Sequence, residues 1–490
     1  MKFLGTIACT AALLPLAAAD GQFKCRTDLA PPRLNITIPA AKDVEKGYLF
    51  IAPFPCQWAE PQFHGPRQEA PYIVRGDGEL VWSGYTYFSI WAANLQKARW
   101  NGQDVLFSFE GDHNPAYGHC HGHATILNQR YETIRELRAG NQKLMDKHEF
   151  HVVDEKTALL QVGQPVPRDL SRWGASAEQQ WIVDTIFQEL DLDTGELLFE
   201  WFSLEHVSPD DYFHINSMDK DAEGNYLISA RDACVVHKIN GTTGEIIWRL
   251  GGLRSDFELG PNVKFCFQHH ARFVEQGDDE EIISLFDNSA HGTENHRGKE
   301  VHTHPFSQGK VISVNTATWT AEIVSAFQPP DGLLAKSQGS TQLLPNGNAL
   351  VNWGSEGALT EFRANGTPIF HAYMDSRGSP ELSGIPTSSG TEVFVSWNGD
   401  TETAVWRFYA VMDVFGSREF LGEATRDGSE TSFSLSGHSY QGLAAEAVSA
   451  SGRVLTTTRV AHIQNTVLSY STVTGGSEDR GAWRQLILQA

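Results

Sequence analysis

A short turn that recurs along the chain limits the folds that the chain can adopt. Residues 194–199 read Thr-Gly-Glu-Leu-Leu-Phe and residues 243–248 read Thr-Gly-Glu-Ile-Ile-Trp, so that the two glycines are 49 positions apart. Residues 78–82 repeat the pattern and residues 365–370 are a looser copy. A repeat of roughly 40–50 residues is typical of one four-stranded propeller blade. The repeat therefore favours a β-propeller over a sandwich or a barrel.

The segments between these turns are short and β-rich, and only residues 131–147 and 175–188 have a helical pattern. Short strands at regular spacing with few helices indicate an all-β protein. We predict a β-propeller of about six four-stranded blades with short helical insertions. The predicted parts are a signal peptide over residues 1–19, an N-terminal extension stapled by a disulfide over residues 20–69, and the propeller over residues 70–490.

The charge of the chain excludes several classes of partner. The 490 residues include 38 Lys and Arg against 60 Asp and Glu, which gives a formal charge of −22. Such an acidic surface repels phosphate backbones and anionic lipid headgroups. We therefore predict no nucleic-acid partner and, once the signal peptide is removed, no membrane partner. The 13 Trp and 27 Phe can supply a lipophilic site for neutral small molecules.

The first residues have the pattern of a secretory signal. Lys2 precedes an apolar run over residues 3–18, and small residues at positions 17–19 precede Asp20. Signals of this kind are removed from the mature protein. The alternative is a buried N-terminal helix. We predict that the protein enters the secretory pathway and is secreted or held in a vesicle lumen.

Cysteines and sequons agree with an oxidising compartment. Five cysteines remain after removal of the signal, an odd number that leaves one thiol over. We predict a disulfide between Cys25 and Cys56, which flank a Pro-rich segment. A second pairing joins Cys234 to Cys266 and leaves Cys120 free. The predicted glycosylation sites are the asparagines of three Asn-X-Thr sequons, which are Asn35, Asn240 and Asn365.

Several motifs in a fixed order carry a family resemblance. They are Asp146-Lys147-His148-Glu149-Phe150, Phe213-His214-Ile215-Asn216-Ser217, Gln268-His269-His270, Leu285-Phe286-Asp287-Asn288 with Arg297, and Ser337-Gln338-Gly339-Ser340 through Trp353-Gly354. Over about residues 70–455 the chain resembles the arylsulfotransferase-like β-propeller family, especially its fungal branch. Linked motifs in one order are more specific than any single motif.

The resemblance implies a site for an aromatic substrate. Sulfotransferases of this family move a sulfuryl group between phenols through a sulfohistidine, which requires a neutral imidazole nucleophile and donors for the sulfate oxygens. By resemblance the catalytic residues are His214, His269 and Arg297. The residues predicted to bind substrate are Asn216, Arg231, His270, Asn288 and Trp353.

The chain departs from the family pattern at one position. The histidine that carries the sulfuryl group should follow on a later blade, but no histidine occurs between His304 and His371, and His371 lacks the motif. The fungal branch also resembles the hetero-Diels–Alderases of tropolone sesquiterpenoid biosynthesis. We therefore predict a secondary-metabolite enzyme that forms a quinone methide from a hydroxymethyl tropolone or phenol and joins it to a terpene alkene. The alternatives are a PAPS-independent aryl sulfotransferase and a non-catalytic secreted propeller that binds a ligand.

Most of these site residues also have a structural interpretation. His214 can be a hydrogen-bonded core histidine, and on one strand only one of His269 and His270 can face a shared site. Asn288 can be a turn residue, and Trp353 has the pattern of blade core. The two arginines can simply pair with carboxylates.

The clearest metal-like pattern is His119, His121 and His123, because alternate residues of a strand share one face. Its Gly-rich context equally suits a loop over the mouth of the propeller. Residues 219–225 begin like a calcium loop but lack the bidentate glutamate at the end, so we predict a β-turn there. We predict no metal and no cofactor.

Overall fold

The computed structural model describes most of the chain between residues 29 and 487. The described residues are 29, 31–53, 68–88, 91–113, 118–178, 180–209, 213–291, 301–374, 381–387, 390–396, 403–412, 417–427, 430–436, 440, 442–458, 460–462 and 485–487. The predicted signal peptide, Cys25, Cys56 and Arg297 lie outside them. Within these ranges, no helix has the length and apolar character needed to cross a membrane.

Strands make up nearly all of the regular structure as far as β27. They are β1 (Leu34–Ile38), β2 (Tyr48–Ile51), β3 (Tyr72–Arg75), β4 (Leu80–Ser83), β5 (Trp91–Trp100), β6 (Gln103–Gly111), β7 (Gly122–Leu127), β8 (Thr133–Leu137), β9 (Phe150–Val153), β10 (Thr157–Pro167), β11 (Trp181–Asp191), β12 (Leu197–Phe202), β13 (Ile215–Lys220), β14 (Tyr226–Ala230), β15 (Val235–Ile239), β16 (Ile246–Gly251), β17 (Glu258–Leu259), β18 (His269–Gln276), β19 (Glu280–Asp287), β20 (Ala290–His291), β21 (Val301–His302), β22 (Gln308–Asn315), β23 (Thr320–Phe327), β24 (Ser340–Leu343), β25 (Ala349–Asn352), β26 (Ala358–Phe362) and β27 (Pro368–Met374).

Nine more strands follow. They are β28 (Glu381–Thr387), β29 (Gly390–Ser396), β30 (Thr403–Val411), β31 (Arg418–Thr425), β32 (Glu430–Ser436), β33 (Gly442–Ser449), β34 (Val454–Thr457), β35 (Ala461–His462) and β36 (Gln485–Ile487). Helical structure in the described part of the chain consists of α1 (Ser203–His206) and the 3-10 turns Ser171–Trp173 and Gly354–Glu356. The prediction of an all-β fold is confirmed.

The strands up to β27 form consecutive sheets around an axis. In order along the chain these sheets are β36-β2-β3-β4, β5-β6-β7-β8, β9-β10-β11-β12, β13-β14-β15-β16, β18-β19-β22-β23 with β17 at its edge, and β24-β25-β26-β27 with β1 at its edge. The early strands of successive sheets contact one another: β2 with β5, β5 with β9, β9 with β13, β13 with β18, and β18 with β24. Sheets whose inner strands meet in sequence order radiate from one axis, as in a β-propeller. The predicted propeller is therefore confirmed, and its blade number stays a prediction.

The N-terminal strands close the ring of sheets. β1 pairs antiparallel with β27, and the chain then continues into β2 of the next sheet. One buried cluster joins these two sheets and includes Leu49 and Tyr72 from one and Leu350 and Phe370 from the other. The last sheet of the ring thus packs on the first.

The hydrophobic core lies between neighbouring sheets. Six buried clusters among the described residues each join two adjacent sheets of the ring. A central strand is consequently covered on both faces, and all five residues of β14 are buried. Burial on both faces explains why the apolar runs of these strands are continuous rather than alternating.

The repeated turns occupy equivalent places in the propeller. Each connects the third and fourth strands of its sheet, and the glycine of each has a positive φ of 75–86° that favours glycine. Before two of them, Asp191 and Asn240 accept backbone N–H groups of the turn through Oδ1. The glycines are Gly78, Gly195, Gly244 and Gly366. The sequence repeat thus marks one outer hairpin in each of four sheets.

Two parts of the described chain show where strands join the ring of sheets and where a separate core begins. β1 and β2 fall within the predicted extension over residues 20–69, but they pair with β27 and β3 as parts of the propeller. After β27, the sheets β28-β29-β32 and β31-β30-β33-β34 surround a separate cluster that includes Trp406 and Leu435. Propeller strands therefore begin before residue 70, and the sheets after residue 380 have a core of their own.

Both segments with a helical pattern form strands instead. Residues 133–137 are β8, which pairs with β7, and residues 181–191 are β11, which pairs with β10 along its whole length. Helix-forming residues such as Glu136 supply only a small local preference. Pairing with a neighbouring strand and packing on the adjacent sheet outweigh that preference.

Cys234 and Cys266 form a disulfide between two neighbouring sheets. Cys234 lies in the turn between β14 and β15, and Cys266 lies ahead of β18. The second of the two predicted pairings is therefore confirmed. The pairing of Cys25 with Cys56 concerns residues outside the described ranges and stays a prediction.

Replacing Cys234 and Cys266 together by serine is expected to lower the free energy of unfolding by about 2–4 kcal/mol, because the bridge restricts the unfolded chain. The two cysteines are 32 positions apart in sequence. Urea unfolding of the double variant beside the wild type, without reductant, measures the change. An unchanged midpoint, with both thiols free in peptide mapping of the wild type, would contradict the bridge.

Candidate functional site

Three histidines stand at the beginning of inner strands from neighbouring sheets. His148 lies two residues before β9, His214 directly precedes β13, and His269 is the first residue of β18. The three strands contact one another in this order around the axis. The propeller therefore gathers imidazoles that are far apart in sequence.

Asp146 is the buried carboxylate of this region. Its Oδ2 accepts the backbone N–H of Cys120 at 2.8 Å, and its Oδ1 accepts the backbone N–H and the ring Nδ1–H of His148. Burial raises the pKa of Asp146, but the neighbouring imidazoles of His148 and His119 outweigh burial and hold the pKa well below its usual value. The carboxylate is therefore ionised and orients His148.

His148 and His214 face each other through their outer ring nitrogens. Their Nε2 atoms are 3.2 Å apart, and the rings meet at an angle of 87°. Burial lowers the pKa of His148, and burial together with the neighbouring imidazoles of His148 and His119 lowers the pKa of His214 well below its usual value. Both imidazoles are consequently neutral at neutral pH.

His119 completes this group from the segment before β7. Its ring centroid lies 5.2 Å from that of His214, and its Nδ1 lies 3.5 Å from Oδ2 of Asp146. Both ring nitrogens are buried without a hydrogen-bond partner in the described structure. Gly163 of β10 leaves room for the ring, since a Cβ there would lie 3.3 Å from His119 Nδ1.

His269 is held in one tautomer by Asn288. The amide of Asn288 donates Nδ2–H bonds to the carbonyls of Ala335 and Gln338, so its Oδ1 is an acceptor. That Oδ1 lies 2.7 Å from His269 Nδ1, which must therefore carry the hydrogen. Nε2 of His269 is left with a lone pair that can accept a proton. Burial, with a contribution from Arg231, lowers the pKa of His269 to about 3.

Arg231 lies close enough to His214 and His269 for its charge to lower the pKa of both. Its Nη1 donates to Oδ1 of Asp232 at 2.6 Å, and its Nη2 donates to the carbonyl of Lys336 at 2.9 Å. The other oxygen of Asp232 lies 4.0 Å from His214 Nδ1. A guanidinium and a carboxylate thus flank the imidazoles, and their charges balance.

Three residues predicted to bind substrate make contacts between strands or sheets. Asn216 donates Nδ2–H to the carbonyl of Gln268 at 2.7 Å, and His270 contacts the carbonyl of Thr341 through Nδ1 at 3.2 Å. Trp353 is fully buried between sheets. The structure places Trp353 in the blade core instead of a ligand site, because its ring packs among apolar side chains.

The metal-like pattern of His119, His121 and His123 is not one cluster in the structure. His121 is exposed, and His123 lies 3.8 Å from Glu110 and 3.9 Å from Glu136. His119 points instead to Asp146 and His148. β7 begins only at residue 122, so the three histidines do not alternate along one strand.

A family model described as arylsulfotransferase (ASST) matches residues 96–209 and 206–375 of the sequence, which is more than half of the 490 residues. The chain belongs to the arylsulfotransferase family. The resemblance inferred from the sequence motifs is confirmed at this level. No curated protein matches the chain.

Three solved structures similar to this member of the arylsulfotransferase family have low sequence identity to it. A Bacteroides caccae protein of unknown function has 13% identity and a TM-score of 0.40, covering 68% of this chain and 94% of its own. The structure titled YjhT has 12% identity and a TM-score of 0.32, with 69% and 96% covered. The structure titled Dos1 propeller has 8% identity and a TM-score of 0.30, with 82% and 88% covered.

The later-blade histidine implied by the arylsulfotransferase family has no equivalent in the last sheet of the ring. His371 lies in the fourth strand, β27, where its Nδ1 is 2.6 Å from Thr360 Oγ1 and its Nε2 is 3.4 Å from Asp331. β24, the first strand of that sheet, contains no histidine. His371 is therefore a buried structural residue.

The sequence analysis missed Asp146, His148 and Asp232 as site residues. The motif over residues 146–150 carries the family resemblance, but no role follows from its residue types alone. The feature that could have identified this motif as part of the site is a histidine just ahead of an inner strand. His148 lies two residues before β9, as His214 lies directly before β13. Asp232 has no sequence signal beyond its place after Arg231.

Proposed function

We propose that this member of the arylsulfotransferase family is a hetero-Diels–Alderase of secondary metabolism. It removes water from a hydroxymethyl tropolone or phenol and joins the resulting quinone methide to a terpene alkene. The observation that carries the proposal is the contact of His269 with Asn288, which fixes the tautomer so that Nε2 presents a lone pair, close to the charge of Arg231. This pair suits a phenol whose proton is taken up by the imidazole and then passed to the leaving hydroxyl.

The dehydration needs one proton carrier. Nε2 of His269 accepts the phenolic proton, and the oxygen electron pair moves into the ring as the exocyclic C–O bond breaks. The imidazolium then returns that proton to the leaving hydroxyl, so the products are neutral quinone methide and water. The positive charge of Arg231 stabilises the developing phenolate. Arg297, outside the described residues, is the second predicted donor.

The cycloaddition needs orientation rather than acid or base. One bond forms from the quinone-methide oxygen and one from its exocyclic carbon to the two alkene carbons, and no proton moves. Holding both reactants in an aligned pose supplies most of such an acceleration. The neutral imidazoles and the balanced Arg231–Asp232 pair favour neutral substrates over anionic ones. With a net charge of −22, we propose no nucleic-acid or membrane partner.

Sulfuryl transfer between phenols is the second candidate, and the family match favours it. His214 is neutral and contacts His148, which Asp146 orients, as a histidine nucleophile would require. The absence of a histidine from β24 argues against it. Trapping of a sulfo-enzyme with a phenyl sulfate donor tests this candidate directly.

The proposal is tested with full-length protein secreted from a fungal host. A stable quinone-methide precursor and a humulene-like alkene are mixed with and without the protein. We expect faster product formation and one dominant stereoisomer with the protein. If the protein leaves the rate and stereochemistry of cycloaddition at the uncatalysed level but exchanges sulfuryl groups between phenols, the proposal is wrong and the protein is an aryl sulfotransferase. Phenol binding without either turnover would indicate a binding propeller.

We propose that the protein passes through the secretory pathway and carries N-glycans. Asn35 in β1 and Asn365 in an outer turn are exposed, whereas Asn240 is half-buried. We expect high occupancy at Asn35 and Asn365 and lower occupancy at Asn240, because the transferred glycan needs an exposed segment. Glycopeptide mass spectrometry of the secreted protein measures each site. An unglycosylated chain that begins at Met1 would contradict both the glycans and the location.

A further inference from the structure

The buried imidazoles of His119, His148 and His214 lie together, and at least one of the facing ring nitrogens carries a lone pair. His148 donates Nδ1–H to Asp146, so its Nε2 carries a lone pair. That lone pair faces Nε2 of His214 at 3.2 Å. His119 adds two buried ring nitrogens that make no hydrogen bond in the described structure. Such a group is suited to share a cation.

We propose that His119, His148 and His214 bind one divalent transition-metal ion, for which Zn²⁺ is the first choice. Two nitrogens bound to one tetrahedral zinc at about 2.0–2.1 Å lie roughly 3.3 Å apart. The Nε2 atoms of His148 and His214 are already at 3.2 Å. The ring centroid of His119 lies 5.2 Å from that of His214 and 6.2 Å from that of His148, which makes it the third imidazole of the group. Three imidazole ligands leave the fourth zinc position open for a substrate oxygen.

Asp146 acts on this site as a positioning residue through His148. Ligating histidines usually donate their other ring N–H to a carboxylate or carbonyl, which fixes the tautomer and the ring direction. Asp146 is fully buried and is itself held by the backbone N–H groups of Cys120 and His148. The carboxylate, the imidazole and the open nitrogen thus follow the order seen in histidine metal sites.

The cation gives the site a substrate class, and this step rests on the proposed function. A tropolone has two adjacent oxygens that can bind one metal ion together, and a phenol with an ortho oxygen substituent can do the same. The bound ion polarises the phenolic oxygen, while His269 Nε2 carries the proton. Dehydration and cycloaddition involve no electron transfer, so an ion without redox chemistry such as Zn²⁺ is sufficient. The site therefore favours oxygen-chelating aromatic substrates over simple phenols.

The test uses the full-length secreted protein and Zn²⁺ itself. Protein stripped with a chelator is titrated with ZnCl₂ by calorimetry, and Co²⁺ is added separately to record its visible absorption. We expect one Zn²⁺ per chain and a Co²⁺ spectrum of low coordination number. His148→Gln and His214→Gln should abolish both signals, and Asp146→Asn should weaken Zn²⁺ binding by about 10- to 100-fold. His151→Gln should bind as wild type, because His151 instead pairs with Asp219 at 3.3 Å.

Thermal unfolding shows whether each variant is folded, and added Zn²⁺ should raise the Tm of wild type and His151→Gln only. Binding of no Zn²⁺ by the wild type, or undiminished binding by folded His148→Gln and His214→Gln, would overturn the proposal in favour of a His148–His214 hydrogen bond. These readouts need no turnover. Zinc binding without cycloadduct would reject only the proposed function, and cycloadduct without zinc would reject only the metal site.

Discussion

His269→Gln is expected to lower the rate of quinone-methide formation by about 10²- to 10⁴-fold, the range for loss of one positioned acid or base. Glutamine keeps a polar group near Asn288 but cannot accept and return a proton. The effect should fall on kcat, because the proton moves only in the reaction, while KM changes little. Steady-state assay of water loss from the hydroxymethyl precursor, with trapping by excess alkene, measures both constants.

Two further variants separate proton transfer from packing. Asn288→Ala removes the acceptor that fixes the tautomer, so it should also lower kcat, by less than His269→Gln. His151→Gln changes a histidine of β9 that pairs with Asp219 and should leave kcat unchanged. A wild-type kcat in folded His269→Gln would remove this residue from the mechanism.

The pH dependence follows from the low pKa of His269. Burial and Arg231 lower the pKa to about 3, so the ring stays in its neutral, proton-accepting form from neutral pH down to about that value. A histidine with its usual pKa would lose this form below about pH 6.5. We therefore expect no loss of kcat between pH 7 and pH 5 through His269. An acid limb near pH 6.5 would show that another histidine carries the proton.

The sequence predicted the fold through features that repeat with the blades. The Gly turns before residues 196 and 245 recur because each sheet needs the same outer hairpin with a left-handed residue. The prediction of two helical segments was wrong because helix preference is a local property of residues. β8 and β11 are instead determined by pairing with β7 and β10.

The sequence predicted a contact within the site only where both partners lie in motifs that carry the family resemblance. His269 and Asn288 lie in linked motifs and meet in the structure. The contact of His148 with His214 spans 66 positions and forms only because the ring brings the starts of β9 and β13 together. Sequence spacing also suggested His121 and His123 beside His119, but β7 starts after His121. Ring closure, rather than spacing along the chain, selects which histidines meet.

A second large effect is expected at Lys238, a buried cation that joins two sheets. Lys238 of β15 contacts Asp221 Oδ2 at 2.8 Å and also Glu281 of β19. The side chains of Lys238, Asp221 and Glu281 are at most 10% exposed. Burial lowers the pKa of Lys238, but its two carboxylate partners outweigh burial and raise it. Burial raises the pKa of Asp221, but Lys238 and Asn225 outweigh it and lower it.

Lys238→Met is expected to lower the free energy of unfolding by about 3–5 kcal/mol at pH 7, because it leaves two buried carboxylates without their cation.

The pKa of Asp221 is lowered in the folded protein. Its contribution to stability is therefore complete above its unfolded pKa of about 4 and is lost as the pH falls through its folded pKa. In the variant, Asp221 loses the cation that lowers its pKa, so its pKa rises and acid stabilises the variant relative to wild type. Urea unfolding at pH 7 and pH 4.5 should show that the difference in free energy of unfolding between wild type and variant is smaller at the lower pH. Arg363→Met, which breaks the exposed pair with Asp43, should change the free energy of unfolding far less than Lys238→Met does. A loss at Lys238 no larger than that at Arg363, or a gap that widens in acid, would show that the buried pairs do not stabilise the junction of the two sheets.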